Sequence, residues 1–507
     1  AGVAGSMGAA ASTISVNNVN SQTSAVVDNS TVKADQDFSV DAHNKVTTKF
    51  NAATLGAGGA AIATGVGVNT IGTSTLAKVN QSTITAQKAA VASREELDVD
   101  QNLVGATVGG LGLNANVMVT SIGTKLADTY GSSDNNGASF DTAAALSKAN
   151  TALDSQKTAT TDDTVASSKV VKDTLHNTDT GVESTDASGV TASSGKSDAK
   201  STQVAVTNSA ITTADTLNLS ADRKTDAKIT AASASVSGSL GLSATVAVLD
   251  AKKDAGVSIS GSTLKANNAL SAAAAQSGTT SIDAYQANIA GVAAVSAAYA
   301  QSSSSGETKI EAVDSTLTSD NKDITIKAAD ASQTMSSVYG ATAGLVTAGA
   351  LVSKADNTSD TNLVIKGSTL KTAQGTADLQ SDKANAVSAK TYGGSFGLAG
   401  ANGVVALASD EGASKILVVQ SGSKKNSTFS GQTASLQATT RPAVTAETGS
   451  LSVALLGSAS ASVATASAKG EAGVQIADGT TLDVDKAEIT ASAESQDGKT
   501  NSEAKDK

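Results

Sequence analysis

The chain has 507 residues, and its composition alone argues against several kinds of protein. Aromatic residues make up 2%, Trp and Cys are absent and Pro occurs once, whereas Gly occurs 45 times. So few large side chains argue against a conventional enzyme core, and the missing Cys excludes disulfides and thiolate chemistry. A net charge of −11 with 16% charged residues argues against nucleic acids and anionic membranes as partners.

No apolar run reaches the roughly eighteen residues that a membrane span requires, so no span is predicted. The pattern described below is already under way at Ala1, and no signal peptide precedes it. We therefore expect an internal part of a longer polypeptide, with the flanking parts of that polypeptide as its first partners.

A short motif recurs along the chain: a turn-forming residue, then Ser or Thr, then usually Thr, then a large apolar residue. It begins at Asn29, Gln81, Asn208, Gly261, Asp314, Gly367, Asn426 and Gly479. Successive copies are 52, 127, 53, 53, 53, 59 and 53 residues apart, so a unit of about 53 residues occurs eight times. A repeat of such regular length is typical of a stacked solenoid.

Each unit contains short segments in which apolar and polar residues alternate, the period of a half-buried strand. One segment precedes the motif, as at 257–259, the motif itself supplies a second, and a third follows, as at 324–328. The Gly, Asn or Asp that opens most motifs tolerates the positive φ of a tight corner. The pattern predicts three short strands and two corners in one coil of a β-solenoid.

The rest of each unit is a longer apolar stretch with glycines, for example 240–249 and 339–352. Its two-residue spacing and β-branched content argue against a helix. We expect one face to be buried, Ser and Thr to line the other, and Ala and Gly to let facing sheets approach closely. Two ordinary coils or one large flattened coil both fit 53 residues; eight units would rise roughly 80 Å or roughly 40 Å, respectively, at ~4.8 Å per layer.

The long step between the second and third motifs holds an insertion rich in Ser, Asp and Lys. We divide the chain into solenoid residues 1–127, the insertion 128–200 and solenoid residues 201–507. Residues 141–157 and 162–175 have apolar residues at helical spacing, which predicts a helical hairpin. The remainder, about 177–197, is predicted to be a linker. A specialised contact and a tolerated excursion both remain open as its role.

In three features the sequence resembles the filamentous haemagglutinin-like exoproteins and leukotoxin-type adhesins that Gram-negative bacteria export by two-partner secretion. They are an apolar stretch ending in Val-Asn-Thr-Ile at 68–71, the spacer Thr-Leu-Ala-Lys-Val at 75–79, and the Ser-Thr-aliphatic motif. The resemblance covers nearly the whole chain except the insertion. It implies a right-handed parallel β-helix, extracellular or at the bacterial cell surface, forming the shaft of an adhesin. The N-terminal secretion domain of that family is not visible, which leaves the export route open.

The residues that usually carry chemistry are scattered. His43 lies in a polar segment that we interpret as a solvated turn, and His176 ends the second predicted helix, where a cation caps favourably. The acidic pairs at 95–96 and 162–163 are isolated, and no His, Cys or carboxylate cluster has the spacing of metal ligands. We predict no metal site and no cofactor.

A catalytic β-helix would present clustered carboxylates and basic residues in a groove. Arg94, Arg223 and Arg441 occupy different positions of the unit, and the Gly-x-Gly at 65–67 does not belong to a nucleotide-binding strand and helix. We therefore predict that the protein is not an enzyme and name no catalytic residue.

Three functions stay in view. The leading one is a structural shaft that mediates surface attachment or fibre formation, with other copies of the rod and a host or neighbouring cell surface as partners. The first alternative is direct binding of glycan or host matrix by the rod faces or the insertion, although the Tyr and Phe residues are dispersed. The second alternative is ice or crystal binding by the Thr column of the motif, although an ice plane generally needs two matched columns.

Overall fold

The computed structural model describes residues 2–123, 202–422, 425–494 and 501–506. The predicted helical hairpin at 141–175 and the predicted linker at 177–197 lie outside these residues. Within them the chain is all-β and contains no helix, and hence no helix long and apolar enough to cross a membrane.

Apart from the long step between β5 and β6, the strands follow one another with short connections. In chain order they are β1 (Gly2–Asp28), β2 (Thr31–Lys33), β3 (Asp37–Asn80), β4 (Thr83–Ala86), β5 (Lys88–Ile122), β6 (Thr202–Thr207), β7 (Ala210–Thr213), β8 (Leu217–Lys252), β9 (Ala255–Ser260), β10 (Thr263–Ala266), β11 (Leu270–Ala290), β12 (Ala293–Ser305), β13 (Glu307–Val313), β14 (Thr316–Ser319), β15 (Ile324–Ala343), β16 (Val346–Asn357), β17 (Asp360–Lys366), β18 (Thr369–Thr372), β19 (Thr376–Lys383), β20 (Ala386–Asp410), β21 (Ala413–Val419), β22 (Thr428–Thr440), β23 (Ala443–Ala468), β24 (Glu471–Ile476), β25 (Thr481–Ala493) and β26 (Asn501–Asp506).

Parallel pairing joins these strands into one continuous sheet, the arrangement expected of a β-solenoid. Leu264 pairs with Leu317, and Leu317 with Leu370, so the residues of neighbouring layers lie 53 apart in sequence. Two ordinary coils per unit would instead pair residues about half that distance apart. One large turn of about 53 residues per layer is therefore correct, and the alternative with two coils is wrong.

One turn consists of four strands, for example β13, β14, β15 and β16, after which β17 pairs with β13. The third short strand predicted from sequence continues without a break into the long apolar stretch, giving the 20 residues of β15. At ~3.3 Å per residue this strand alone extends about 65 Å, whereas each layer adds only ~4.8 Å to the height of the stack. Each layer is therefore much wider than it is tall.

The corners use the residues that the motif supplies. Positive φ values occur at Asn29 (45°), Gln81 (48°), Asn208 (47°), Gly261 (58°), Asp314 (48°), Gly367 (58°) and Gly479 (80°). The predicted positive-φ corner is thus confirmed at seven of the eight motifs. At each of these positions the chain turns before the short motif strand begins.

Two apolar clusters fill most of the interior. The larger lies between the short strands and includes the motif residues Ile84, Leu264 and Leu317, which are fully buried. The second lies between the two walls of the long stretch and includes Leu103 and Ile229. The prediction that the large apolar residue of the motif faces inward is therefore confirmed at these positions.

In the long apolar stretch, the polar residues lie on the face opposite to the one that the sequence predicted. Ser243 and Thr245 are 4% and 1% exposed and point between the two walls, where Thr245 Oγ1 donates to Ser233 Oγ at 2.7 Å. Val246 and Val248 instead belong to a third apolar cluster on the opposite face of the strand. The expectation that Ser and Thr would line the unburied face is wrong here, because the walls approach so closely that short hydroxyl side chains bridge them.

The stacking of strands continues from the layers before the insertion to the layers after it. Strand β5 ends at Ile122, and the next described strand, β6, pairs with β3 through Thr202 and Thr75. Strand β5 also pairs with β8 along almost its whole length. The solenoid is therefore continuous from β3 and β5 to β6 and β8.

Candidate functional site

Three tyrosines from successive layers stack on the outer surface. Tyr285 of β11, Tyr339 of β15 and Tyr392 of β20 occupy equivalent places in the register. Their ring centroids are 5.5 and 5.8 Å apart, with interplanar angles of 14° and 8°. The side chains point outward because they alternate with buried neighbours along their strands. Parallel pairing thus produces a ladder from residues far apart in sequence.

The tyrosine ladder forms one wall of an apolar groove that crosses the layers. Two residues further along each strand is a row of mostly small outward-facing residues, the groove floor: Ala106, Ala234, Ala287, Ala341, Gly394 and, in the next layer, Leu451. Two residues further still is another outward-facing row, which we call the aliphatic ridge although it includes one Phe: Val108, Val236, Ile289, Ala343, Phe396 and Val453. The groove has a volume of about 780 Å³ and is lined by the tyrosine column and the groove floor. The ridge lies one column beyond the floor.

Polar side chains lie beyond the tyrosines, on the side away from the groove floor. Lys390 Nζ lies 3.6 Å from Glu447 Oε2, and the Tyr392 hydroxyl donates to Glu447 Oε1. In an earlier layer Lys228 Nζ lies 3.2 Å from Asp283 Oδ2. Protein-binding surfaces usually have an apolar centre surrounded by polar side chains.

The groove is suited to binding rather than to acid–base chemistry. Partial burial, followed by the negative charge of Asp283, raises the pKa of Tyr285, so its phenol stays neutral. The ring of Tyr339 is covered on both faces by Tyr285 and Tyr392, so a sugar ring cannot stack on it. What the groove presents is a row of ring edges, methyl groups and aliphatic side chains.

A second unusual set of residues lies inside the stack. One inward-facing column runs through six layers and consists of polar or charged residues: Asn44, Glu95, Arg223, Gln276, Asp330 and Lys383. All six are 5% exposed or less. Arg223 Nη2 lies 3.2 Å from Glu95 Oε1, and Lys383 Nζ lies 2.7 Å from Asp410 Oδ1.

Hydrogen bonds satisfy the carboxylates of this buried column. Glu95 accepts hydrogen bonds from the hydroxyls of Thr73, Thr75 and Thr202. Asp330 accepts from the Ser332 hydroxyl at 2.6 Å. The opposite charges alternate along the axis, which offsets part of the cost of removing them from water.

Lys253 is a further buried charged residue, and it lies outside this column. It is 1% exposed, and its Nζ has no hydrogen-bond partner among the described residues. Burial lowers the pKa of Lys253 to about 8, opposed by the charge of Asp330 and assisted by that of Arg223. These groups are all closed off from solvent.

The structure disperses the residues that the sequence singled out. His43 is exposed as predicted, but it lies within strand β3 rather than in a turn. Arg94 is exposed, Arg223 is buried, and Arg441 makes an exposed ion pair with Asp382 at 2.7 Å. The three arginines do not converge.

His176 and the acidic pair at 162–163 lie outside the described residues. Across the described part of the chain, His, Cys, Asp and Glu form no group of three that could hold a metal ion. The comparisons add no assignment of their own: the chain matches no family model, no curated protein and no solved structure.

The sequence interpretation missed both the tyrosine ladder and the buried column. The view that the aromatic residues are dispersed is wrong for three of the five tyrosines, whose separations of 54 and 53 residues equal the layer spacing. That spacing was a usable signal. For the buried column the signal in the sequence was weaker, because the insertion separates Glu95 from Arg223.

Proposed function

We propose that this chain is a structural segment of a surface-exposed or secreted bacterial protein of the filamentous haemagglutinin-like kind. In this proposal the layers are eight repeats of a right-handed β-solenoid. The observation that carries the proposal is the unbroken pairing of the motif strands from Thr31 to Thr481, one layer on the next. Such nearest-neighbour stacking accumulates strength along one axis without any pocket.

The dimensions favour a role in a fibre or surface layer over a role as a long spacer that holds a tip far from a cell. Each layer uses about 53 residues to advance ~4.8 Å, whereas a strand uses about 1.5 residues for the same distance. A protein built only to hold a tip far from a cell would gain more length from smaller coils. A wide layer instead presents broad side faces, which suits lateral contact with other rods or with a surface.

The alternative of ice or crystal binding finds no support at the Thr column. Thr263 and Thr369 face outward, but the neighbouring outward column carries Lys265 and Lys371 in the same layers. Ammonium groups interrupt the matched hydroxyl rows that an ice plane needs.

Single-molecule stretching between the chain ends tests the mechanical proposal. Peeling one layer from the stack should release about 53 residues, or about 185 Å of contour length at roughly 3.5 Å per residue. We expect a series of such steps. Unfolding of the solenoid in one step without this periodicity would reject the proposal, and antibody labelling of intact cells would test the location separately.

A further inference from the structure

The apolar surface continues beyond the groove around the edge of the layers. Where the chain reverses between the two long strands of the four later turns, the outward residues are again large and apolar: Val292, Leu345, Leu398, Leu455 and Leu456. Their exposed fractions are 52%, 46%, 37%, 86% and 80%. The first residues of the returning strands add Leu111, Leu240 and Val346, which are also exposed.

Together the groove, the aliphatic ridge and this edge form what we call the apolar strip. It spans about eight residues along the strands and six to seven layers along the axis, roughly 25 by 30 Å at ~3.3 Å per residue and ~4.8 Å per layer. That is about 750 Å² on one molecule. Two such surfaces would bury about 1,500 Å², which is the size of a stable protein–protein interface.

We propose that the apolar strip is the contact between two copies of this chain, which lie side by side and point in the same direction. The proposal rests on the stacked rod proposed above and names a second copy as its lateral partner. In the contact, the aliphatic ridge of each copy fills the groove of the other.

The shape of the strip selects the second copy as occupant. From Ala106 to Gly394 the groove floor consists of Ala and Gly, so it has room for side chains. The ridge that offers them, including Ile289 and Phe396, runs parallel to the groove one column away. A surface that carries both the ridge and the groove complements itself, as a symmetric dimer requires. The polar rim at Asp283 and Lys390 then remains at the solvated border of the contact.

The order of the columns also determines the direction of the two rods. Across the strip, the ridge lies to one side of the groove in every layer. A two-fold axis parallel to the rod axis brings each ridge opposite the partner's groove. A two-fold axis that reverses one rod instead brings ridge against ridge and groove against groove, which leaves the grooves empty. Only parallel rods therefore fill both grooves.

Sedimentation equilibrium of the purified full chain tests the pairing. We expect a dimer, and we expect Ile289→Glu and Phe396→Glu each to raise its dissociation constant roughly tenfold or more, because a carboxylate would enter an apolar contact. The matched control is Ala331→Glu. Ala331 is exposed too, but it lies on β15, eight residues from Tyr339 and outside the strip. This variant should dimerise like the wild type. A monomer with an intact β spectrum, or equal loss in all three variants, would overturn the proposal.

The direction is tested by a spin label on Ala53→Cys, which is unambiguous because the chain has no other Cys. Ala53 is exposed in an early layer of the tyrosine column, six layers from Gly449. Parallel rods place the two labels at the same height, whereas antiparallel rods separate them by about 30 Å along the axis, at ~4.8 Å per layer. The longer distance would refute the parallel arrangement. Failure of the pairing with stepwise stretching intact would leave the proposed rod standing.

Discussion

At the scale of single residues, the corner serine of the motif explains why the motif recurs. The backbone N–H of each corner serine donates to the serine hydroxyl of the next layer, from Ser30 through Ser315, at 3.0 to 3.2 Å. The hydroxyl in turn donates to a carbonyl two residues earlier, as Ser315 does to Val313 at 2.7 Å. Without the hydroxyl, a buried backbone donor at the corner has no acceptor.

We therefore expect Ser315→Ala to destabilise the protein by about 1 to 3 kcal/mol, because it removes the acceptor of the Ser262 N–H. A guanidinium titration followed by circular dichroism measures this change. Ser271→Ala is the matched control, since its hydroxyl bonds an exposed Asn218 side chain at 2.7 Å, and it should change stability by less than about 0.5 kcal/mol. Equal effects of the two substitutions would contradict a role for the serine corner.

A second prediction at the scale of single residues concerns how Lys253 makes the stability of the protein depend on pH. Its pKa of about 8 in the folded protein lies below the value of 10.5 expected when exposed. The unfolded chain thus binds more protons between these values, so this residue makes stability rise as pH increases from 8 to 10.5. At neutral pH, charged Lys253 costs on the order of 3 kcal/mol.

We expect Lys253→Met to be more stable than the wild type at pH 7, with the difference shrinking as pH rises to about 10.5. Denaturant titrations of both proteins at a series of pH values provide the comparison. Asp330, Arg223 and Asp226 are the charged groups that act on Lys253, and all three are unchanged in the variant. The exposed Lys327→Met is the matched control for the loss of one lysine. A difference in stability between Lys253→Met and wild type that stays constant with pH would contradict the assignment.

At the scale of the strands, the sequence predicted the short elements better than the long ones. The motif strand needs only its own residues to be recognised, and Leu264 and Leu317 face inward as expected. Columns in the long strands depend on cross-layer register, which changes within one turn. Leu264 pairs 53 residues ahead, whereas Leu270 pairs with Ile324, 54 residues ahead. A fixed period read from the motif therefore misplaces long-strand partners by one residue.

The same dependence explains the inverted polarity of the long stretch. Alternation shows that one face differs from the other, but it does not show which face meets a nearby wall. Gly105 illustrates the constraint, since an added Cβ would clash with Asn116 Nδ2 across the gap. Where walls approach this closely, small and hydrogen-bonding side chains replace large apolar ones inside.

The insertion yields a prediction at this scale. Because β6 stacks on β3 and β8 on β5, the solenoid does not need residues 128–200 to keep its register. We expect their deletion to preserve the β-type circular dichroism and the unfolding midpoint of the remaining chain. The sequence also predicts loss of a minor helical signal. Collapse of the β signal on deletion would show that the insertion is part of the core.

At the scale of the whole molecule, one large turn per layer connects the fold to the proposed role. It makes each layer wide, aligns Tyr285, Tyr339 and Tyr392 into a ladder, and places the apolar strip along one edge. None of these features belongs to a single repeat. They arise only when copies are stacked in register, so the function that we propose belongs to the stack.

The most direct test of this register is a pair of deletions within one long wall. Ala244 pairs with Ala297 and Thr245 with Ala298, so removing residues 245–297 joins Ala244 to Ala298 and deletes one whole turn of 53 residues. Removing residues 245–296 instead puts Ala297 in the place of Thr245 and turns each following side chain of that strand to the opposite face.

Guanidinium unfolding followed by circular dichroism compares the two variants. We predict that the 53-residue deletion retains the β spectrum and a cooperative transition, whereas the 52-residue deletion loses at least about 3 kcal/mol of stability, because buried and exposed positions exchange. Equal stability of the two variants would contradict the stacking of 53-residue turns.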